Sequence, residues 1–421
     1  MNNLLKHYGK HNFISSRIQR SISSYDNIDK QQLLELYNFS FIKLFRSAFK
    51  YSKFYQKHYA ASGISLNDIK DITDIQKLPV VQRNDIKSNS DKIYFGNSFF
   101  KIKGLTSGTS GSPLTVYRSP LSVNIESAYI SYFRKIHGFK TGDPLVSIRG
   151  VLDKNSLYKF CKYSNVLYIS SPNINSKNID LFHSLISRFK PKAIEAFPSY
   201  LFKLQVELAK KKLSIQIPLS FTSSEMLYDF QREQIESYLN TKIFDWYGNV
   251  ERTIGLVQYK YKTYQPLPLY SINEFNHDNV ITTSLNNNFF PLIRYVVEDH
   301  IEVKSDSFIQ NILAPEIIKI NGRSGDTIDL KDGSQVSCID HVFKGVSHLE
   351  LAQIHQNELI DTLLVKLVVE PDFSMHDEEV LKGNFQKLIG NNMQLIFKYC
   401  NKAELMSDSH LKFKLIVKQR Q

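Results

Sequence analysis

A run of small hydroxyl residues and glycines between positions 106 and 113 is the part of the sequence best suited to bind phosphate. Seven of its eight residues are Thr, Ser or Gly. Glycines let the backbone approach a ligand closely, consecutive amides can form an anion-binding nest, and hydroxyl groups add donors. No Gly-Lys-Ser/Thr follows at the required spacing, which excludes a Walker P-loop. The residues expected at nucleotide phosphates are Thr106, Ser107, Gly108, Thr109, Ser110 and Gly111.

The alternative interpretation of this run is a flexible Ser/Gly linker, which has a similar composition. Strand-like segments flank the run, at residues 99–102 and at residues 112–117. A short loop between two strands is more typical of a binding loop than of a linker. We therefore predict a phosphate-binding loop.

The run resembles the phosphate-binding loop of the adenylate-forming superfamily, Thr/Ser-Ser-Gly-Thr-Thr/Ser-Gly-x-Pro. That superfamily includes acyl-CoA synthetases, firefly luciferase and peptide-synthetase adenylation domains. Three further segments are similar to its motifs and follow in the same order: 245–251 (Tyr-Gly-x-Thr/Ser-Glu), 291–299 (Pro-x-Ile-Arg-Tyr-x-x-x-Asp) and 320–326 (Gly-Arg-x-x-Asp). The resemblance covers roughly residues 78–417 and looks closest to the phenylacetate–CoA ligase branch and its capsule-locus relatives.

The resemblance of residues 245–251 implies a nucleotide and metal site. Tyr247 and Gly248 would lie near the adenine, and Glu251 would help to hold Mg²⁺ on ATP. This role suits the residue type, because Mg²⁺ is a hard cation held by one or two carboxylates together with substrate phosphates. Val250 replaces the hydroxyl residue of the family, which removes one hydrogen bond to the nucleotide. The alternative for Glu251 is a surface carboxylate paired with Arg252.

Four other positions are assigned to the nucleotide by the same resemblance. Asp299 would accept hydrogen bonds from the two ribose hydroxyls, and the neighbouring Glu298 is the other candidate for this contact. Arg323 would reach the nucleotide from the junction between two domains. Ser224 and Glu225 lie in the place of the family's adenine-side element.

The last strand-like segment, at residues 411–417, holds the candidate catalytic lysine. Lys412 matches the position of the family's lysine, and Lys414 is the alternative. A protonated amine beside the α-phosphate would offset the charge that builds up in the transition state of adenylation. A lysine on the solvent face of an edge strand is the competing interpretation.

The pattern of strands and helices predicts an α/β fold with two domains. Strands and helices alternate from residue 99 to residue 250, which predicts a large N-terminal domain with mainly parallel sheets flanked by helices. The pattern of residues 265–320 predicts a β-rich subdomain. The residues after this subdomain predict a small, mobile C-terminal α+β domain. We place the boundary between 1–323 and 324–421, with a hinge near Ser324 and Gly325. Ligands of such sheets bind beyond the carboxyl ends of the strands.

The composition of the 421 residues excludes several other classes. No stretch approaches 18 uninterrupted apolar residues, so no membrane span is predicted, and the first residues have no apolar core of secretory length. Three scattered cysteines fit a reducing cytoplasm and lack the spacing of a cysteine-rich zinc site. Some members of the branch that the chain resembles carry a zinc site after the Tyr-Gly element, but residues 255–264 contain neither cysteine nor histidine, so zinc is predicted to be absent. The net charge is +12, but no nucleic-acid motif accompanies it, so no nucleic-acid partner is expected.

The sequence therefore predicts an AMP-forming acid–thiol or acid–amine ligase in the cytoplasm. Its cofactors would be ATP and Mg²⁺, its substrate a small carboxylic acid, and its acceptor coenzyme A, a carrier thiol or an amino sugar. The resemblance implies surface polysaccharide biosynthesis or acyl acid metabolism. The acyl pocket is expected at Ala196, Phe197, Pro198, residues 221–224 and the segment that follows Glu251. A family member that binds nucleotide or nucleic acid without catalysis is the alternative.

Overall fold

The computed structural model describes most of the chain, and the fold falls into two compact units. Described are residues 13–105, 114–149, 152, 156–225, 227, 229–276, 279–305, 307–323, 328–330, 335–336, 339–343, 346, 348–356, 362–369, 371–390, 393–401, 404 and 416–418. The first unit comprises Met1–Gly104 and Val116–Asn321, and the second comprises Leu105–Thr115 and Gly322–Gln421.

The helices and strands are numbered in chain order. The helices are α1 (Phe13–Ser24), α2 (Lys30–Tyr51), α3 (Lys53–Ala61), α4 (Arg83–Ile93), α5 (Pro120–Ile136), α6 (Ile179–Phe189), α7 (Pro198–Lys210), α8 (Asp229–Leu239), α9 (Phe308–Leu313) and α10 (Met375–Ile389). The strands are β1 (Ile102–Leu105), β2 (Thr115–Arg118), β3 (Leu145–Arg149), β4 (Tyr158–Cys161), β5 (Val166–Ser170), β6 (Ala193–Ala196), β7 (Leu219–Ser223), β8 (Lys242–Gly248), β9 (Gly255–Lys260), β10 (Thr263–Pro266), β11 (Ser271–Phe275), β12 (Val280–Ser284), β13 (Tyr295–Val297), β14 (Asp299–Val303), β15 (Ile317–Arg323), β16 (Ile328–Asp329), β17 (Gln335–Val336), β18 (Leu349–Gln356), β19 (Thr362–Val369), β20 (Gln394–Tyr399) and β21 (Ile416–Lys418).

An eight-stranded sheet forms the centre of the first unit. Its order is β10-β9-β8-β7-β6-β3-β5-β4. The five central strands β8, β7, β6, β3 and β5 are parallel. At the margins, β9 is antiparallel to β8, β10 is antiparallel to β9, and β4 is antiparallel to β5. All five parallel strands therefore end at one edge of the sheet, which is the edge where ligands bind in folds of this type.

Both faces of this sheet are covered, which explains why its strands are rich in apolar residues. On one face the apolar side chains of α6, α7 and α8 pack on Val146, Ile148, Ile194 and Ile243. On the other face α1 and α5 pack on the alternate residues of the same strands. Because successive side chains in a strand point to opposite faces, each strand contributes to both cores.

A β-rich part follows the large sheet within the first unit. Strands β11, β12 and β13 form an antiparallel sheet, and β14 pairs with β15. The apolar core of this β-rich part contains Ile254, Leu256, Val280 and Ile301. Because Leu256 belongs to β9, the β-rich part also packs on that strand of the large sheet.

Buried tyrosines attach the N-terminal helices to this β-rich part. The hydroxyl of Tyr55 in α3 accepts from the amide of Ile293 at 2.8 Å and donates to the carbonyl of Pro291 at 3.1 Å. The hydroxyl of Tyr37 in α2 accepts from the amide of Leu269 at 3.0 Å. Both side chains are fully buried, so their rings add apolar contact while their hydroxyls satisfy loop backbone groups.

The second unit contains a four-stranded sheet of order β20-β19-β18-β21 with helix α10. Strand β19 pairs antiparallel with β18 and parallel with β20, and β21 pairs parallel with β18. Leu381, Phe385 and Ile389 recur at helical spacing on α10 and are buried in the core of this unit. A capping box at Ser374 and Asp377 begins the helix, and Gly390 follows its last residue.

The predicted fold class is confirmed, with one local correction. The strand predicted at residues 99–102 is wrong at its start, because Asn97 caps a short 3₁₀ turn over Ser98–Phe100 and β1 begins only at Ile102. Helix α7 begins with Pro198 at its first position. Proline favours that position because its fixed φ suits the helix and it has no amide hydrogen to satisfy.

No helix within the described ranges has the length and hydropathy needed to cross a bilayer.

Arg294 links the β-rich part to the segment before α4 through a buried ion pair. Its guanidinium donates to both carboxylate oxygens of Glu274, at 3.0 and 2.9 Å, and to the carbonyls of Gln76 and Leu78. The side chains of Arg294 and Glu274 are only 12% and 6% exposed. Burial raises the pKa of Glu274, and the guanidinium opposes that rise.

We predict that Arg294→Leu lowers the free energy of unfolding by roughly 3 kcal/mol or more, because it leaves the buried carboxylate of Glu274 without its partner. Urea unfolding measures the change. The control is Lys304→Leu, which removes an ion pair with Glu316 whose side chains are 66% and 62% exposed, so its effect should stay within about 0.5 kcal/mol. Equal effects of the two substitutions would contradict this interpretation.

Candidate functional site

The ends of β7 and β8 bring two of the predicted segments together. The strands are parallel neighbours, with Ser223 opposite Trp246. Ser224 and Glu225, which follow β7, therefore lie at the same edge as Tyr247 and Gly248 at the end of β8. Ser224 adopts a left-handed φ of 73° and is exposed, while Glu225 is half-buried.

Gly248 is required by the close approach of the backbone at the end of β8. A Cβ built there would lie 3.0 Å from the carbonyl oxygen of Ile254 and 2.8 Å from Nε1 of Trp246. Gly248 is paired with Gly255 at the beginning of β9, so the chain turns back between two glycines. A larger residue at either position would push the turn away from the sheet.

Internal hydrogen bonds hold the turn between β8 and β9. The side chain of Asn249 accepts from the amide of Thr253 at 2.9 Å and donates to its hydroxyl at 2.8 Å. Arg252 has a left-handed φ of 58°, and its carbonyl accepts from the side chains of Ser284 and Asn286. These bonds fix the backbone on both sides of Glu251.

Glu251 points toward the segment that begins α4. Its Oε1 accepts from the hydroxyl of Tyr295 at 3.1 Å and lies 3.5 Å from the guanidinium of Arg83. The side chain of Glu251 is only 8% exposed. The alternative pairing with Arg252 is wrong, because Arg252 lies beside Glu126 at 3.8 Å. Burial, followed by the nearby charge of Glu251, raises the pKa of Tyr295.

The carboxylate of Glu251 fits a contribution to a magnesium site that is completed by the nucleotide. Its Oε1 is engaged, whereas Oε2 forms no hydrogen bond to the part of the chain that the structure describes. Within that part, no three His, Cys, Asp or Glu side chains lie close enough to hold a metal on their own. One carboxylate oxygen together with substrate phosphates is the arrangement that Mg²⁺ accepts. The absence of zinc stays a prediction.

Asp299 and Tyr247 contact each other although they belong to different motifs. The hydroxyl of Tyr247 donates to Oδ2 of Asp299 at 2.5 Å. Asp299 is half-buried at the start of β14, whereas the neighbouring Glu298 is exposed. The bond orients the carboxylate of Asp299 beside the aromatic ring expected at the adenine.

The strands that flank the glycine-rich run are anchored next to the Glu251 turn. Strands β1 and β2 pair with each other. Arg118 at the end of β2 donates to the carbonyl of Val250 at 2.6 Å. A Cβ on Gly104 would lie 2.9 Å from Cζ of Arg118, so the glycine makes room for this side chain.

Several predicted residues fall outside what the structure describes. They are Thr106, Ser107, Gly108, Thr109, Ser110, Gly111 and Lys412, together with Lys414 and the hinge at Ser324 and Gly325. Arg323 is the last residue of β15, and its backbone alone is described. The roles of these residues stay predictions.

Sequence reasoning missed Arg83, Arg118 and Tyr295, which surround the Glu251 turn. Tyr295 lies within a recognised motif, where its type could have indicated a buried hydroxyl partner. Arg83 and Arg118 belong to none of the motifs, so only the folded chain reveals that they reach this turn.

A buried polar network lies behind Tyr247 on β8. Asp245 accepts from the hydroxyls of Thr222 and Tyr264, at 2.5 and 2.7 Å. Arg232 lies nearby and donates to Gln258, which also accepts from the amide of Asp245. Burial nevertheless raises the pKa of Asp245 from 3.8 to about 6, because desolvation of the carboxylate outweighs these favourable contacts.

Comparisons with known proteins find sequence similarity over most of the chain. A family model described as the CapK C-terminal domain matches residues 330–419. The chain is 24% identical over 420 residues to Protein CapK of Staphylococcus aureus, covering 94% of this chain and 90% of that protein. It is 21% identical over 371 residues to a phenylacetate-coenzyme A ligase of Aromatoleum evansii, covering 79% and 81%. The predicted relationship to the adenylate-forming superfamily is confirmed.

A solved structure extends the comparison to the fold. The crystal structure of 2-hydroxyisobutyryl-CoA ligase in complex with 2-HIB-AMP and CoA superposes with a TM-score of 0.60 at 15% identity, covering 94% of this chain and 91% of the other. At this identity the likeness establishes the fold.

We predict that the stability difference between Asp245→Asn and the wild type depends on pH. The folded protein holds the Asp245 proton up to about pH 6, whereas the unfolded chain releases it near 3.8. The wild type should therefore lose on the order of 3 kcal/mol relative to the variant as the pH rises from about 4 to about 7. Urea unfolding of both proteins across this range measures the difference.

Glu195→Gln provides the comparison for this experiment. Desolvation acts to raise the pKa of the half-buried Glu195, but the charges of Arg134 and Arg149 outweigh it and lower this pKa to about 2. The ionised carboxylate of Glu195 contributes its full stabilisation at pH values above 4.5, the pKa of this group in the unfolded chain. The difference in unfolding free energy between this variant and the wild type should therefore be constant above about pH 5. A constant difference for Asp245→Asn over the same range would show that Asp245 does not titrate as described.

Proposed function

We propose that this protein is an ATP-dependent ligase that activates a carboxylic acid as an acyl-adenylate and transfers the acyl group to a thiol or amine. The observation that carries the proposal is the convergence at one sheet edge of Tyr247, Asp299 and the Glu251 turn, with Arg118 anchoring the strand that leaves the glycine-rich run. The named ligases among its relatives support the same reaction class.

In the first half of the proposed reaction, a carboxylate oxygen of the acid attacks the α-phosphorus of ATP and the bond to pyrophosphate breaks. Glu251 would supply one oxygen ligand to Mg²⁺, which offsets phosphate charge when bound. Asp299, oriented by Tyr247, would accept from the ribose hydroxyls. The glycine-rich run would hold phosphate oxygens, and Lys412 would offset charge on the α-phosphate.

In the second half, the acceptor attacks the acyl carbon and AMP leaves with the bonding electron pair. The acceptor would be coenzyme A, a carrier thiol or an amino sugar. Coenzyme A has the support of relatives whose names include it. A role in surface polysaccharide biosynthesis is part of the proposal and follows from the motif resemblance.

We expect the wild type to catalyse acid-dependent exchange between ATP and pyrophosphate with at least one member of a panel of aryl, fatty and amino acids. Glu251→Gln should lower the exchange rate roughly hundredfold, because it weakens the protein's anionic ligand to Mg²⁺. Glu316→Gln, which changes an exposed acid of the first unit, serves as the control and should leave the rate unchanged.

The outcome also separates this function from its alternatives. Nucleotide binding without any acid-dependent exchange, over the whole panel, would favour a non-catalytic member of the superfamily. If exchange occurs, product formation with coenzyme A omitted and an amino sugar supplied distinguishes an amine acceptor from a thiol acceptor.

We predict that Asp299→Asn raises the KM for ATP at least tenfold in the exchange assay, because a neutral amide is a weaker acceptor for the ribose hydroxyls. The matched control is Glu298→Gln, which neutralises the adjacent exposed acid and should leave the KM within about twofold. The reverse result would assign the ribose contact to Glu298.

A further inference from the structure

A second polar cluster lies at the ligand edge of the large sheet, away from β8. Arg149 is the last residue of β3, and Glu195 lies near the end of the adjacent strand β6. Ser147, on the same face of β3, completes the cluster with Arg134 from helix α5. None of these residues belongs to a motif that predicted the nucleotide site.

The guanidinium of Arg149 is held by its neighbours. Its Nε donates to the hydroxyl of Ser147 at 2.8 Å, and its Nη2 donates to Oε1 of Glu195 at 2.9 Å. Ser147 also donates to Glu195 at 2.7 Å. The ring of Tyr168 lies 5.6 Å from the guanidinium carbon. Arg149 therefore needs little further ordering to bind a ligand.

The charges of the cluster do not cancel. Arg134 and Arg149 both pair with the single carboxylate of Glu195, which leaves one net positive charge. The side chain of Arg134 is 17% exposed and that of Glu195 18% exposed, whereas that of Arg149 is 53% exposed. The excess charge is therefore presented by Arg149. Its Nη1 forms no hydrogen bond to any residue in the described ranges.

The position of Arg149 suits the far part of a substrate. Strand β3 is separated from β8 by β6 and β7, and neighbouring strands lie about 4.8 Å apart, so the two strand ends are roughly 14 Å from each other. Residues 196–198 and 221–224, where the acyl pocket is expected, lie on the two intervening strands or directly after them. A ligand that extends from the Tyr247 end of the edge would point toward Arg149.

We propose that Arg149, held by Ser147 and Glu195, is an anion-binding subsite that selects substrates with a second anionic group remote from the reacting carboxylate or thiol. The inference rests on the proposed ligase function. The anion belongs either to the acid, as in a dicarboxylate, or to the acceptor, as in the phosphates of coenzyme A. A guanidinium with a spare nitrogen binds carboxylate and phosphate oxygens alike.

The test compares Arg149→Gln with the wild type in two assays. In ATP–pyrophosphate exchange, octanedioate is compared with octanoate, and 4-carboxyphenylacetate with phenylacetate. In the complete reaction, coenzyme A is compared with dephospho-coenzyme A. Arg149→Lys keeps the charge but loses the fixed planar fork, so it should recover part of any preference. Arg188→Gln removes an exposed charge on α6 and serves as the control.

The wild type is expected to prefer the more anionic member of at least one pair by roughly tenfold or more in kcat/KM, and Arg149→Gln is expected to abolish that preference. If Arg149→Gln abolishes the preference within the acid pairs, the anion belongs to the acid. If it abolishes the preference for coenzyme A over dephospho-coenzyme A, the anion belongs to the acceptor. If exchange is active and Arg149→Gln alters neither ratio beyond the effect of Arg188→Gln, the subsite does not exist.

Thermal unfolding without ATP separates failure of the subsite from failure of the proposed function. A ligand that binds the folded protein raises Tm by mass action. If no acid supports exchange, the ligase proposal fails. The subsite then stands if octanedioate or coenzyme A raises the Tm of the wild type but not that of Arg149→Gln. Equal shifts in both proteins, or no shift in the wild type, overturn it.

Discussion

The backbone reversal between β8 and β9 is the constraint on which the candidate site depends. Gly248 and Gly255 face each other across this reversal, and Gly248 has no space for a Cβ beside the carbonyl of Ile254. Asn249 and Thr253 then close the turn with two side-chain bonds. Tyr247 precedes the turn and Glu251 lies within it, so a shift of the backbone here would displace both the ring that we propose at the adenine and the carboxylate that we propose at the metal.

This turn is also where distant parts of the first unit meet. Arg118 reaches it from β2, and Arg83 reaches it from the beginning of α4. Tyr295 approaches from β13, the strand that forms a bridge with Val81 and so fixes the segment before α4. The site is thus built from elements that are held by the core rather than by a ligand. An enzyme that accelerates nucleotidyl transfer by holding its reactants in the right geometry requires such a preorganised site.

The sequence predicted the α/β class, because alternating strands and helices are local signals. The motifs that hold Ser224 and Tyr247 end at one edge of the sheet, where the sequence places the candidate site. The pairing of Tyr247 with Asp299 agrees with both motifs, although neither motif predicts the contact by itself. The partner of Glu251 could not be predicted, since Arg252 is adjacent in sequence whereas Arg83 becomes adjacent only in the fold. The start of β1 was misplaced for a local reason, the cap that Asn97 provides.

At the edge of the large sheet where its parallel strands end, acidic and basic side chains occur together in two separate groups, which the net charge of +12 does not indicate. Near β8, Glu251 lies beside Arg83 and Asp299 accepts from Tyr247, and we propose that these two acids serve a nucleotide whose phosphates arrive together with a cation. Near β3, two guanidiniums share the carboxylate of Glu195, and burial on one side leaves the positive excess on Arg149. Because the charge of an exposed guanidinium is screened beyond a Debye length of about 8 Å at physiological ionic strength, this excess acts on groups that lie close to Arg149. The overall basic character of the chain therefore says less about its partners than the position of Arg149, whose Nη1 forms no hydrogen bond to the described residues.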